Sequence, residues 1–588
     1  MLYRLSADRP SFNTIEFRKG LNIILADRHL PADRDDDEPK TAPVRRTRNG
    51  AGKSSLIDLV HFLLAGDAEG ALKAHALHDW TFELSLDVGD ERLAVRRSPA
   101  SPRVSIRKEG PGFVEKTDAE TLTNAAWTAR LGKAWFQLNG GRQPGAASFR
   151  QLISYFARRR RDGGYDDPVR TFRAQMNAVS ETNLAVLFGL DAEVVRRFHR
   201  SKNELKQIQT AQKALRDLEK TAPSGTRRVD LEAALSAQIA AATLARDHLD
   251  ERIKSFNVLP VFRDLEQELA ALNEHSRDLS DQDVLDRESI DANRRALEAE
   301  EQDRAPRLEA LFAEAKMVFP EIVNRRYEEV ARFHHQLIEN RQAQLQSEIA
   351  SAQRRIEERR PDREHVEVRR RQITTALRTG GPADELLRLR DELSEKDGVV
   401  RVLEARLNEA RKLETQAEEK QREIEDATRA LRQDRRERSA VANQASRTFS
   451  EISERLYERP GELAISANEQ GLRFIPSIPS AQSAGIMSMQ IFCFDFTMAS
   501  LCRSRGMGPG FLIHDSHLYE PVDGRQFARA LRIGAEYAEE IGIQYIVTLN
   551  SDELARAETE GGEDFRSFVL DPVLSDALDG GLFGIRFD

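Results

Sequence analysis

Cysteine is nearly absent: there are two in 588 residues, Cys493 and Cys502, both inside one apolar stretch. A disulfide framework is excluded and a reducing compartment favoured. With no Cys-x-x-Cys pair, zinc ribbons and zinc-hook joints are excluded too. Aromatic residues are sparse at 6% and apolar residues of all kinds reach only 40%, while charged residues make up 32%. That mix suits long solvated helices better than one packed globule, and the length points to two or more structural units. Positive charge is not in excess, since 89 Lys and Arg face 98 Asp and Glu for a net −9. A globally basic coat for nucleic acid is excluded; a local patch is not. Long hydrophobic runs are also missing. The most apolar stretch, 491–502, is interrupted by Asp495 and is too short to span a bilayer. The opening MLYRLSADRPSF lacks the basic-then-apolar order of a secretion signal. A soluble cytoplasmic chain without a membrane partner is expected.

Three zones separate by pattern. Residues 1–190 are mixed, and the short apolar runs at 21–25 (LNIIL), 82–88 (FELSLDV) and 92–95 (RLAV) read as strands. Residues 191–447 are nearly free of strand signals. Apolar residues at Leu386, Leu389, Leu393, Val400, Leu403 and Leu407 step by three, four and seven, keeping one stripe toward a partner helix. Leu205, Ile208, Ala211, Leu215 and Leu218 keep a similar rhythm on the outbound side. The pattern predicts an outbound arm over 191–304, a turn-back over 305–337 and an inbound arm over 338–447. Helix breaks are expected near Pro260 and Ser280 outbound, and near Pro361 and 380–381 inbound. The turn-back puts Ser280 opposite Pro361 and Pro260 opposite Gly380, as paired joints of a rod on the order of 150 Å, at roughly 1.5 Å per residue. A further break at 221–226 (TAPSGT) has no inbound partner. Residues 448–588 return to mixed structure, with strands at 463–467 and 472–476, buried parallel strands at 511–513 and 543–549, and a crossover helix at 523–541. Two mixed halves separated by a returning coil must meet to form one head.

The strongest local motif is TRNGAGKSSLIDLVHFLL, starting at Thr47. It matches the second half of the phosphate-binding pattern G-x-x-x-x-G-K-S, with Thr47 in place of the first glycine. Asn49, Gly50, Ala51 and Gly52 form a tight loop with exposed N–H groups. Lys53 can reach β and γ phosphates, Ser54 can ligate Mg²⁺, and Ser55 opens a helix whose N-terminus favours anions. ATP and Mg²⁺ are the expected cofactors. The stretch 27–46 before the loop, acidic and then basic, reads either as a flexible lid or as a disordered insertion. A second motif, FLIHDSHLYEPVD (511–523), ends an apolar strand in Asp515, the carboxylate type that holds Mg²⁺. A third, SAGIMSMQIFCFDFTM (483–498), opens an apolar helix with a Ser-x-Gly turn at Ser483 and Gly485. Taken alone it is an ordinary helix cap.

Together these motifs resemble the SMC-like ABC ATPases, in which a coiled-coil arm interrupts a split head. More narrowly, NGAGKSSLIDLVHFLL, VARFHHQLIENR (330–341), GIMSMQIFCFDFTM, FLIHDS and QYIVTLNSDEL (544–554) are similar to the YydD-like family, across essentially the whole chain. The resemblance implies an α/β ABC-type ATPase head, split into N-terminal (1–190) and C-terminal (448–588) halves, with a long antiparallel coiled coil inserted. It also implies a homodimer sandwiching ATP between heads, with Ser483 and Gly485 touching the γ-phosphate held by the other protomer. Membership of multi-gene bacterial systems of the defence type is implied as well. The sequence departs from that pattern at Ser516, which stands where a catalytic Glu is expected and is no general base unaided. His517 is the first substitute. Where a switch histidine is expected, Asn550 can position the γ-phosphate through its amide, and Gln151 is matched to the Mg²⁺-sensing Gln.

Arg158, Arg159, Arg160 and Arg161 form the basic cluster nearest the expected head–arm boundary. It reads equally as a DNA-phosphate contact or as a face paired with local acids. Arg369, Arg370 and Arg371 read as a solvated face. His334 and His335 are adjacent on a helix and point apart, so a two-His metal site is not expected there. The leading expectation is an ATP-driven dimerising switch that takes DNA, or a DNA-bound partner, as input and signals to a separate effector subunit. Its rivals are a nucleotide-binding coiled-coil scaffold with little or no hydrolysis, and an ATPase acting on protein partners without DNA.

Overall fold

The computed structural model describes residues 1–27, 52–109, 119–138, 144–219, 231–256, 263–316, 323–377, 382–479, 483–575, 577 and 579–585. The insertion after residue 27, Asn49 to Ala51, the 221–226 break, Pro260 and the 380–381 glycines lie outside them. Contacts divide the chain into two units: one contains Met1–Arg200 and Ile424–Asp588, the other Ser201–Val318 and Tyr327–Glu423.

The first unit opens with β1 (Leu2–Ala7), β2 (Ile15–Glu16) and β3 (Gly20–Asp27), followed by α1 (Lys53–Leu63). Next come β4 (Phe82–Val88), β5 (Glu91–Arg97), β6 (Arg103–Glu109) and β7 (Glu120–Thr123), then α2 (Asn124–Phe136), α3 (Phe149–Ile153) and α4 (Asn177–Phe188). The chain leaves through α5 (Ala192–Glu219) and passes along α6 (Leu231–Lys254), α7 (Arg263–Lys316) and α8 (Val323–Leu377). It returns through α9 (Pro382–Glu437) and α10 (Ser439–Tyr457). Then follow β8 (Glu462–Asn468), β9 (Gly471–Ser477), α11 (Ala484–Ser504), β10 (Phe511–His514), α12 (Gly524–Ile541), β11 (Gln544–Asn550), α13 (Ser551–Gly561) and β12 (Leu574–Ser575).

Two sheets organise this unit. One is antiparallel, in the order β2-β1-β4-β5-β6-β7, and the other has the order β10-β11-β3-β12 with every pair parallel. The second sheet depends on distant segments meeting, for β11 pairs with β3 with Val547 opposite Ile23 and Asn550 opposite Ala26. Both strands are apolar without alternation, as a strand covered on both faces must be. Helix α1 packs on β4 and β5 of one sheet and β11 of the other, burying Leu56, Ile57, Leu59, Val60, Phe62 and Leu63. The amphipathic α12 makes the crossover from β10 to β11. Gly534 lies so close to the Tyr545 ring that a Cβ would come within 2.6 Å of it. Helix α11 extends beyond the apolar stretch noted above and is long and apolar enough to cross a membrane, yet 83% of that window is buried within the protein. It is a core helix of this unit.

The second unit differs from a single out-and-back rod. Helices α6 and α9 are antiparallel, since Glu232 pairs with Arg411 (2.6 Å) and Arg246 with Asp397 (3.7 Å). Helix α7 runs parallel to α9: Glu266 pairs with Arg390 (3.7 Å), Arg277 with Asp397 (2.6 Å), Asp278 with Arg401 and Glu288 with Arg406 (3.0 Å). Helix α8 is antiparallel to α7, through Glu268–Arg369 (2.7 Å), Asp283–Arg359 (2.9 Å) and Asn293–Glu348 (3.2 Å). The outbound course therefore reverses between α6 and α7, well before the expected turn-back. Lys254, Arg263, Leu377 and Pro382 come to one end, where Leu265, Leu269 and Leu272 of α7 meet Ile373 of α8 and Leu387 of α9.

Two expected joints are absent. Ser280 lies inside α7 and Pro361 inside α8, and both helices continue through them. A proline in a helix interior costs about 3 kcal/mol. Ties on both sides of Pro361 offset that cost, for Arg359 holds Asp283 and Asp286, Arg363 holds Asp283, and Arg355 holds Asp286. Serine in α7 meets no such penalty. The run Arg369, Arg370 and Arg371 contributes in the same way, with Arg369 on Glu268 and Arg370 on Asn273.

Cysteines replacing Asp278 and Arg401 are expected to be joined by a short thiol cross-linker, the two native cysteines being buried. If a 268–369 pair links and the 278–401 pair does not, the parallel packing of α7 on α9 is wrong.

Candidate functional site

The site is built at the carboxyl ends of neighbouring parallel strands, where open α/β sheets place their ligands. Gly52 ends the phosphate-loop motif in the left-handed region (φ 85°), and its carbonyl accepts the first helical bond of α1 from Leu56 (3.0 Å). A Cβ at Gly52 would lie 2.8 Å from the Leu582 Cβ, so both backbone and space require glycine. Lys53, Ser54 and Ser55 form the first turn, which contains no acid to compete for an anion. Lys53 Nζ donates to Asn550 Oδ1, at the end of β11. Ser54 Oγ donates to Asp515 Oδ2 at 3.2 Å, just beyond β10. The N-terminus of α1 and the ends of β10 and β11 thus bring Lys53, Ser54, Asp515 and Asn550 together.

Asp515 is buried, and its surroundings fix it from several sides. Its N–H donates to the Tyr165 hydroxyl (2.8 Å). Its Oδ1 accepts from Ser516 Oγ (3.3 Å) and from the His517 N–H (3.4 Å). Ser516 is buried with its hydroxyl turned to Asp515, so it stands in no catalytic position of its own. His517 is about one-third exposed; its Nδ1 lies 2.7 Å from Glu520 Oε2, and its ring meets the edge of Tyr165. Asn550 caps α13 in a reciprocal box with Glu553, whose carboxylate accepts the Asn550 N–H (2.7 Å). Burial raises the Glu553 pKa, while the Lys53 charge pulls it back.

Ser54 and Asp515 offer a hydroxyl and a carboxylate oxygen within hydrogen-bond distance of each other. Hard oxygen donors of this kind fit Mg²⁺, which takes few protein ligands and shares the rest with phosphate and water. Among the described residues no group of three His, Cys, Asp or Glu could hold a metal by itself.

The other expected residues fall as follows. Ser483 is exposed at the N-cap of α11 and makes no capping bond with its side chain. Gly485 is buried against Pro521, whose carbonyl would lie 2.6 Å from a Cβ. Asn49, Gly50 and Ala51 lie outside the described residues. Gln151 is not set as a metal sensor: its Oε1 accepts the Ser148 N–H (3.1 Å) in a capping box that starts α3.

The basic run at 158–161 requires the larger correction, because it is not a DNA-facing patch. Arg158 is fully buried on Asp495. Arg159 is buried on Glu69 (2.6 Å) and Asp162 (3.0 Å), and Arg161 on Asp58 (2.8 Å) and Glu69. Burial raises the Asp58 pKa and the two guanidiniums draw it back down. Only Arg160 is substantially exposed, and it pairs with Glu520 at 3.3 Å. Apart from Asp162, which adjoins the run, the acids that turn these side chains inward come from α1, from the segment after it and from α11, where proximity in sequence gave no warning.

Tyr165, Glu553 and the Asp495–Arg158 pair were not singled out from sequence. A signal existed for Asp495, the one charge between Ala484 and Cys502 of an apolar helix, which must find a buried partner.

A family described as an uncharacterised protein conserved in bacteria (DUF2326) matches residues 452–587, less than half of the chain. Among curated proteins none matches. Among solved structures the chain is similar to an Smc head domain with a coiled coil and joint from Pyrococcus yayanosii, at 15% identity and TM-score 0.34, over 95% of this chain and 94% of that one. It is also similar to an Smc head domain with an extended coiled coil, bound to the C-terminal domain of ScpA, from Pyrococcus furiosus. There the identity is 14% and the TM-score 0.30, over 95% of this chain and 92% of that one. Scores this low leave function to be argued from the chain's own residues.

Burial lowers the pKa of His514, which precedes Asp515, and the Asp495 contact only partly restores it. The unfolded state then takes up the proton first. Stability from this residue is complete above its unfolded pKa of about 6.5 and is lost as pH falls below it. All three Trp lie in the first unit, so their fluorescence reports its melting. Between pH 7.5 and 5.5 the melting temperature is expected to fall less in His514→Gln than in wild type. Parallel curves for the two proteins would refute the assignment.

Proposed function

We propose that the chain is a Mg²⁺-dependent ATP-binding head carrying a helical arm, of the SMC-like ABC type, and that it works as a dimerising switch. The observation that carries the reading is Ser54 Oγ 3.2 Å from Asp515 Oδ2, beside Lys53, at the ends of adjacent parallel strands. Lys53 and the first-turn N–H groups of α1 would receive the phosphates, and Ser54 and Asp515 would hold Mg²⁺, which would neutralise phosphate charge there. ATP supplies the phosphoanhydride whose cleavage resets the switch. Asn550 turns its amide from Lys53 to the terminal phosphate. His517, oriented by Glu520 through Nδ1, leaves Nε2 to take the proton of the attacking water in place of the missing Glu. The exposed Ser483, with Gly485, is the part offered to the nucleotide of a second copy, which makes the working form a homodimer. Contact with DNA and output to a separate effector subunit of a defence-type system enter by resemblance alone, and the buried arginine run does not supply the DNA contact.

Ser516 favours a second reading, a nucleotide-binding scaffold with little turnover, because its buried hydroxyl serves Asp515. Binding and turnover separate the two. Lys53→Ala removes hydrogen bonds to a charged group worth about 1.5–3 kcal/mol and is expected to weaken Mg-ATP binding about ten- to a hundredfold. His517→Ala is expected to leave binding unchanged and to lower turnover about a hundredfold or more. Wild type that binds ATP but turns over no faster than Lys53→Ala would favour the scaffold. Wild type that binds no ATP would end both readings.

A further inference from the structure

Asp495 is the only acidic or basic residue between Ala484 and Cys502 of α11, and its side chain is wholly buried. Arg158 meets it fork to fork, with Nε 2.6 Å from Oδ2 and Nη2 2.7 Å from Oδ1. The rest of the guanidinium donates to the carbonyls of Gly164 (2.7 Å), Pro168 (2.6 Å) and Arg170 (2.6 Å). His514 Nε2 adds a contact to Asp495 Oδ2 at 3.2 Å. Stability does not account for such a pair, because apolar residues of similar volume commonly serve a core as well or better. A bidentate fork does something a greasy contact does not: it fixes direction as well as distance.

What the pair joins is specific. The segment 156–158 runs beside β10, with Ala157 bridged to Ile513 and the Ile513 N–H on the Phe156 carbonyl (2.7 Å). The Tyr165 hydroxyl links the Asp515 N–H (2.8 Å) to the Arg158 carbonyl (3.3 Å). His514 Nδ1 lies 3.0 Å from the hydroxyl of Tyr545 on β11, which in turn meets the Tyr519 hydroxyl. One carboxylate in the middle of α11 is therefore bonded directly to the His514 ring, through that ring to Tyr545 on the strand that ends in Asn550, and through Arg158 and Tyr165 to the N–H of Asp515. The N-terminal end of the same helix carries Ser483 and Gly485.

We propose that Asp495 and Arg158 are positioning residues. Their pair locks α11 to the turn that bears Asp515, so that engagement of nucleotide by Lys53, Ser54 and Asp515 in one copy sets the angle at which Ser483 and Gly485 meet the nucleotide of the next. The proposal rests on the nucleotide site and head dimer put forward above. It assigns to the pair a geometric task that an apolar substitute cannot perform.

The test uses the full chain as wild type, as Arg158→Lys, and as the double variant Asp495→Leu with Arg158→Met, in which no buried charge is left alone. Tryptophan melting checks folding. Mg-ATP affinity at low protein concentration reads the site within one copy. Sedimentation with a non-hydrolysable ATP analogue reads association, and kcat and KM are measured separately. The double variant is expected to melt below wild type, because three carbonyls and His514 lose their partner, yet to stay folded at the assay temperature and bind ATP with the wild-type Kd. It is expected to lose nucleotide-driven association and to drop in kcat by about a hundredfold, the scale of an ångström's misplacement. Arg158→Lys, which keeps the charge and loses the fork, is expected between the two. A double variant that associates and turns over like wild type overturns the proposal. So does failure of both variants to fold, which would assign the pair to stability alone, and so does a wild type that binds ATP yet never associates. Wild type that binds no nucleotide removes the underlying site, and the coupling with it.

Discussion

The parallel pairing of β3 with β11 is the constraint on which the first unit depends. Lys53 and Ser54 follow β3 in the chain, whereas Asp515 and Asn550 end β10 and β11. Only the register Val547 opposite Ile23 brings these groups within bonding distance. A slip by one residue would exchange the faces of a strand buried on both sides. The coil between the two halves can be long because loop-closure entropy rises only slowly with length. The sheet, not the coil, determines where the chemistry lies.

The core of the candidate site was legible from sequence because its residues obey local rules. A phosphate loop needs glycine at φ 85° and a lysine at a helix start, and a buried strand ending in a lone acid is readable as such. The meeting of Gly52, Lys53, Ser54 and Asp515 follows from that, whereas Asn550 was reached through the family resemblance and not through a local rule. Long-range pairing was not legible. The four arginines at 158–161 look alike in a row, yet three of them are drawn inward by acids far away in the chain. Gln151 failed for the opposite reason: its partner, Ser148, is three residues away, and a local capping box used the side chain. Tyr165 carries no sequence signal, because a single tyrosine in a glycine-rich turn looks like any other.

Strands β3, β4, β5, β8, β9, β10 and β11 and the crossover helix were read at nearly their observed limits, since periodicity and burial agree there, while β1, β2, β6, β7 and β12 were not read. The helical character was read correctly, and so was the antiparallel register that sets Ser280 opposite Pro361 between α7 and α8; the earlier reversal between α6 and α7 was not read. A heptad stripe says that a helix has a partner and does not say which one. Helices α6, α7, α8 and α9 all carry such stripes, and the choice among pairings rests on ion pairs such as Arg277–Asp397 and Asp283–Arg359. Asp283 and Asp286 of α7 meet Arg355, Arg359 and Arg363 on both sides of Pro361, and α8 runs on through it.

The distant pairing of β3 and β11 has a consequence for synthesis. At about 5–20 residues per second, the ribosome needs on the order of half a minute to two minutes to travel from the first strand to the second. Throughout that interval GLNIILAD, apolar on both faces and with both edges unpaired, has no complementary strand of its own chain to join. An edge of that kind is a template for other chains. On a polysome, where neighbouring nascent chains are at different stages, a finished β11 from one copy can reach the waiting β3 of another before its own does.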